Sequence, residues 1–142
     1  MRFELALIDE DKPMTKTVII SGSRTIQQLP QAAIDSIDRI VDLKFAIVIG
    51  DAPGIDSLVL DYLWEVKRYN SRYVRVYYAL FNGNGRPRYR RGYTAIGIRG
   101  DYTMRDKQMC YLADYGLAIW DGRSKGTKAN IDRIKKTRVI LA

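Results

Sequence analysis

Three short strings combine glycine with residues able to hold an anion. They are Gly22-Ser23-Arg24, Gly50-Asp51-Ala52-Pro53-Gly54-Ile55-Asp56, and Asp121-Gly122-Arg123-Ser124-Lys125-Gly126-Thr127. Each follows a run of apolar residues. Glycine lets a ligand approach the main chain, and the free N–H groups of a helix start suit phosphate. On this reading Gly22, Ser23, Gly122, Ser124, Gly126 and Thr127 hold phosphate, and Arg24 and Arg105 balance its charge. Gly50, Asp51, Gly54 and Asp56 form the second turn. Asp51 or Asp56 bonds a ribose hydroxyl or a base amine. Each string also has a plainer reading. Gly-Ser-Arg is a tight turn with an exposed arginine, Asp56 complements a helix dipole, and Arg105 with Asp106 is an exposed ion pair. The strings are neither a Walker loop, which ends in Gly-Lys-Ser/Thr, nor the six-residue dinucleotide fingerprint.

Composition narrows the chemistry. The 142 residues contain no histidine and one cysteine, Cys110. Within one chain that excludes an internal disulfide, a Cys/His zinc site and a His-based triad. Cys110 reads as a core filler. No metal and no cofactor beyond the ligand is expected, although ligation by carboxylates stays open. No apolar run is long enough to span a bilayer. Met1 to Pro13 does not read as a signal peptide, and the expected location is the cytoplasm. The formal charge is +8, with arginines crowded between Glu65 and Asp106. That points to an anionic partner or to a solvated basic face.

The elements that must position these residues alternate in type. Thr17–Ser21, Ala46–Ile49, Val74–Leu80, Leu117–Trp120 and Val139–Leu141 read as strands, and Phe3–Ile8 as a short edge strand. Helices are expected over about 31–43, 55–66, 102–114 and 127–136. The clearest is the second, where Ile55, Leu58, Val59, Tyr62, Leu63 and Val66 form one stripe. In the third strand Val74, Val76 and Tyr78 alternate with Arg75 and Tyr77, so one face should be less buried. Residues 82–101 read as a long basic loop, a lid or partner surface. Strands separated by helices predict a single α/β domain over 1–142, a Rossmann-like parallel sheet of about five strands with helices on both faces. Its ligand crevice lies at the carboxyl ends of the strands.

Taken together and in this order, the turns resemble the SLOG superfamily over roughly residues 17–142. That group includes the Lonely Guy phosphoribohydrolases, the Smf/DNA-processing protein A fold and small YpsA- and YspA-type proteins. The resemblance implies a domain that binds nucleotides or nucleotide-derived ligands, often as a homo-oligomer. In the phosphoribohydrolases a Gly-Gly-x-Gly-Thr turn is followed three residues later by a catalytic glutamate, assisted by an arginine on the preceding helix. Arg105 occupies the arginine position here. Asn130 stands at the glutamate position, and Arg123-Ser124-Lys125 replaces the double glycine. An amide cannot serve as a carboxylate base. The expected function is therefore a sensor or binding protein for a phosphate-bearing small molecule, with Asn130 among its ligand contacts. The alternative is a hydrolase of the N-glycosidic bond of nucleoside monophosphates, with Arg105, Asp56 or Asp121 as catalytic candidates. A third reading is a nucleic-acid binder that stacks bases on Tyr69, Tyr73, Tyr89, Tyr93 and Tyr102.

Overall fold

The computed structural model describes residues 16–142 apart from Asn82 and Asn84. The expected edge strand at Phe3–Ile8 lies outside the described residues. Six strands form one sheet: β1 Thr17–Gly22, β2 Ala46–Gly50, β3 Val74–Phe81, β4 Thr94–Arg99, β5 Tyr115–Trp120 and β6 Thr137–Leu141. The helices are α1 Gln31–Asp42, α2 Ile55–Asp61, α3 Tyr102–Leu112 and α4 Lys125–Arg133. The strand order is β4-β3-β2-β1-β5-β6, and every neighbouring pair is parallel. The fold is α/β and Rossmann-like.

Alternation along the strands assigns the two faces. Val18 and Ile20 of β1 belong to a large aliphatic core with Ile37 of α1 and Ile55, Val59 and Leu60 of α2. Ile19 points to the other face. There it meets Val48 and Tyr77, covered by Met109 and Cys110 of α3 and by Ile134 just past α4. The apolar stripe read over 55–66 packs on the core from Ile55 to Leu63, but Val66 is 63% exposed, because the last turn, Tyr62–Val66, is a π turn, closed by a Lys67 N–H to Tyr62 O bond of 3.0 Å. Cys110 is buried and packs in the smaller core, as expected.

Two sequence-based expectations change. First, residues 82–101 are not one loop. Thr94–Arg99 pairs with β3 and adds a sixth strand. Near its centre is Gly97, whose Cβ would come within 2.8 Å of the Leu80 side chain, so a larger residue there would displace Leu80. Ile96 and Ile98 alternate as a strand does and pack on the smaller core, but the segment is short and lies among glycines, arginines and tyrosines that read as loop. The preceding crossover is tied down: Tyr93 is 1% exposed and donates its hydroxyl to Tyr69 O at 3.1 Å. Tyr89 bonds Asp61, and Arg91 pairs with Glu65 at 2.7 Å. Second, Tyr77 is buried with Val74 and Val76, because α3 covers the face that was expected to be more open.

The chain moves outward from β1 through β2 and β3 to β4, then returns to the other side of β1 with β5 and β6. The direction of winding therefore reverses between β1 and β5. Connections leave β1 and β5 on opposite sides there, and a crevice opens at their carboxyl ends.

Candidate functional site

A cleft of about 420 Å3 occupies that crevice. Five segments border it: the turns after β1 and β2, the first turn of α2, the start of α3 and the start of α4. The turns after β1 and β5 are bonded to each other. The Ser23 N–H donates to Ile119 O at 3.0 Å, and the Asp121 N–H donates to Ser23 Oγ at 3.0 Å. Thr25 Oγ1 donates to Asp121 Oδ2 at 2.8 Å. Asp121 Oδ1 accepts the N–H groups of Arg123 and Ser124, each at 2.8 Å. These backbone bonds, with Thr25 behind them, hold the Asp121 carboxyl far below the ordinary carboxylate range. Asp121 shapes the turn from outside the cleft lining.

Ser124 precedes α4 and makes no side-chain bond to the helix start. The first N–H groups of α4 have no acceptor within the helix. Ser124, Gly126 and Thr127 border the cleft at this point, and Thr127 is buried. A Cβ on Gly126 would meet nothing within 4 Å, so the space beside it is open. Gly22 and Gly54 answer to packing. A Cβ on Gly22 would lie 2.5 Å from Ile55 and 2.6 Å from Ile119 O. Gly54, at φ +84°, passes 2.5 Å from the Arg24 main chain by the same measure. Gly122, at φ +80°, turns the chain out of β5. Gly54 and Gly122 do not border the cleft.

Beneath the cleft lies a buried charge network centred on Asp51, which is 1% exposed. Its Oδ1 accepts Arg105 Nη1 and Arg88 Nη2, both at 2.9 Å, and its Oδ2 accepts the Arg88 N–H at 2.8 Å. Burial alone would raise this carboxyl, but the bonds and charge of Arg88, then the charge of Arg105, hold it below its ordinary value. Arg105 also donates Nε to Asp106 Oδ1 at 3.0 Å, and its Nη2 lies 2.9 Å from the same oxygen. The guanidinium groups of Arg24, Arg88 and Arg105 all lie near the Tyr102 ring, at 5.5, 4.5 and 5.2 Å from its centroid.

Asp56 faces the cleft from the first turn of α2, with Oδ2 accepting the Ala52 N–H at 3.1 Å. Burial pushes its carboxyl up to about 7, against the opposing charge of Arg105 and the Ala52 bond. Gly50 gives it room: a Cβ there would lie 2.7 Å from Asp56 Oδ2 and 3.0 Å from Arg105 Nη1. Asn130, also buried, donates Nδ2 to Asp106 Oδ2 at 3.2 Å and accepts Arg133 Nη1 at 2.8 Å. An amide can donate to the acid and accept from the arginine at once. A carboxylate in its place would set two negative groups at hydrogen-bond distance.

The cleft thus gathers Gly22, Ser23, Arg24, Gly50, Asp56, Arg105, Ser124, Gly126, Thr127 and Asn130 on one lining. Asp51 lies just behind Arg105. The reading of Arg105 and Asp106 as an exposed pair is corrected: they are 6% and 9% exposed. α3 turns these charges inward and leaves Met104, Tyr111 and Leu112 exposed, so its sequence hides its inner face. Sequence reasoning missed Arg88 and Asp106 as members of the network, and Tyr102 as a wall of the cleft. Arg88 comes from an irregular crossover with no spacing signal. Tyr102 had one: it directly follows Asp101, whose side chain accepts the Met104 N–H at 3.0 Å and caps α3. Two of the tyrosines read as stacking platforms, Tyr69 and Tyr93, are buried in the core.

Comparison with known proteins found no matching family model, no matching curated protein and no matching solved structure.

Proposed function

We propose that this chain binds a nucleotide or nucleotide-derived, phosphate-bearing small molecule at the carboxyl ends of β1 and β5, as a sensor or binding protein. One observation carries the reading: the open first turn of α4 and the guanidinium of Arg24 border the same cleft as buried Asp56. The helix start and Arg24 attract phosphate. Asp56 meets a hydroxyl or amine of the sugar or base. The SLOG resemblance adds its own support and brings with it a cytoplasmic homo-oligomer, which light scattering tests. Calorimetry and thermal-shift titration with nucleoside mono- and diphosphates, cyclic dinucleotides and ADP-ribose test the binding itself. A true ligand at about 100 times its Kd adds about 2.7 kcal/mol of stability. Failure of the whole panel to bind overturns the proposal.

Asp56 favours a second reading, hydrolysis of the N-glycosidic bond of a nucleoside monophosphate. A carboxyl that titrates near neutral pH can protonate a departing base, and Arg105 stands beside it. Incubation with nucleoside monophosphates followed by chromatography for free base tests this. Release by the wild type and not by Asp56→Asn supports it, and no release by the wild type removes it.

A further inference from the structure

A second concavity, of about 350 Å3, lies at the opposite end of the sheet from the cleft. α1, the Leu43–Phe45 turn and the starts of β1 and β5 enclose it. Its floor is the core itself, where Val18, Ile40 and Leu117 are buried. Phe45 and Tyr115 form a stacked aromatic wall, with centroids 5.8 Å apart. Leu43 adds an apolar side chain that is 48% exposed. Pockets of this size and lining take small apolar molecules.

Two arginines join this apolar lining, Arg39 from α1 and Arg138 from β6. Both are exposed, and neither forms an ion pair among the described residues. The Lys136 amine adds a third positive charge, 5.9 Å from the centroid of the Tyr115 ring. Arg39 in the last turn of α1 suits the helix dipole, and Arg138 on an edge strand discourages strand-to-strand association. Neither role requires the two to share one pocket. β6 pairs Arg138 with Leu117, which puts the arginine on the same face as the apolar floor. The positions reinforce each other: an apolar body fits the floor, and an anionic head meets two planar donor groups.

We propose that this pocket is a second binding site, independent of the cleft, for a small soluble amphipathic carboxylate with an aliphatic or aromatic body. Asp35 stands on the same lining and would repel a second anionic group, so the ligand carries one.

Anilinonaphthalene sulfonate, displaced by octanoate, is the probe pair, used on the full chain. Its fluorescence should rise on binding and fall as octanoate is added. In NMR spectra octanoate should shift the amides of Phe45, Tyr115 and Gly116 and leave Gly126 unmoved. The double variant Arg39→Gln/Arg138→Gln should weaken octanoate binding at least about tenfold, since charge-assisted bonds to the head are lost. Ser36→Trp should fill the pocket and abolish it. Both changes lie outside the core, and an unchanged Tm checks the fold. Equal affinity in the double variant overturns the proposal. So does a set of amide shifts confined to the cleft. Nucleotide titrations report on the other end of the sheet, so either site can fail without the other.

Discussion

On one face of the sheet α1, α2 and the π turn after α2 press Ile37, Val59, Leu60 and Leu63, all fully buried, against β1, β2 and β3. On the other face α3 and α4 bring Met109 and Cys110 against the sheet, with Ile134 just beyond, and beside these apolar groups they bury Arg105, Asp106 and Asn130. Apolar burial on the first face lowers the free energy whatever the ligand does. Charge burial on the second is near neutral at best, because desolvation offsets attraction. The contrast teaches a division of labour. The aliphatic face holds the domain together, and the charged face keeps guanidinium and carboxylate groups in fixed positions beneath the cleft.

The largest expected effect comes from breaking the charged face on one side only. Arg105→Ala leaves Asp106 without its guanidinium and Asp51 with Arg88 alone. That should cost about 3–5 kcal/mol in urea unfolding, the usual penalty for a stranded buried charge. The paired change Arg105→Met/Asp106→Leu should cost less than the single one, since it removes both charges. If the single change cost under about 1 kcal/mol, the network would be solvated and the contrast between the faces would collapse.

Next comes the aliphatic face. Leu63→Ala should cost about 2–5 kcal/mol through lost burial and the cavity left behind. Ile134→Ala, at the margin of the smaller core, should cost less. Equal losses would mean that the second face is as well packed as the first.

How far this division was legible in the sequence follows from the same physics. The aliphatic face announced itself, because Thr17–Ile20 and Ile47–Ile49 are continuous β-branched runs and Ile55 to Leu63 form a buried stripe. The turns after β1, β2 and β5 were found from glycine and the small polar residues beside it, and the cleft gathers most of their side chains. The charged face was obscure. Periodicity detects apolar residues turned inward, but α3 turns Arg105 and Asp106 inward and Met104 and Tyr111 outward. β4 was hidden because its two core contacts, Ile96 and Ile98, are few and stand among Gly92, Gly97 and Gly100 in a stretch rich in arginine and tyrosine. Arg88 reaches Asp51 from far along the chain by a contact that only the fold creates.

Asp56 gives the comparison a pH dependence. Its carboxyl is raised from 3.8 to about 7 in the folded chain. The folded state therefore holds this proton where the unfolded state has lost it. The resulting stability is fully present below about pH 4 and fades as pH rises towards and through 7. The loss should be on the order of 2–4 kcal/mol across that window. Asp51 and Asp121 are shifted the other way, so their stabilisation is present above about pH 4 and lost only as pH falls below it. The two windows separate. Urea midpoints of wild type and Asp56→Asn between pH 4 and 8 should diverge with the wild type losing stability faster. Parallel curves would show that Asp56 is solvated rather than buried.

The smallest change in stability comes at Gly126 and separates the cleft from the core beneath it. The residue lies in the first turn of α4, with no atom within 4 Å of where a Cβ would stand. Alanine therefore enters without a clash and restricts the unfolded chain, a gain of at most about 1 kcal/mol. A larger side chain at the same place projects into the open space beside the helix start. Gly126→Leu should leave the unfolding free energy between the wild-type value and about 1 kcal/mol above it, since a helix former replaces glycine at a solvent-facing position. It should abolish the stabilisation by whichever nucleotide binds the wild type. Loss of binding without loss of stability would tie the phosphate to the start of α4. Full binding by Gly126→Leu would move the anion away from α4 and towards Arg24 and Tyr102, at the end of the charged face where three guanidinium groups already converge.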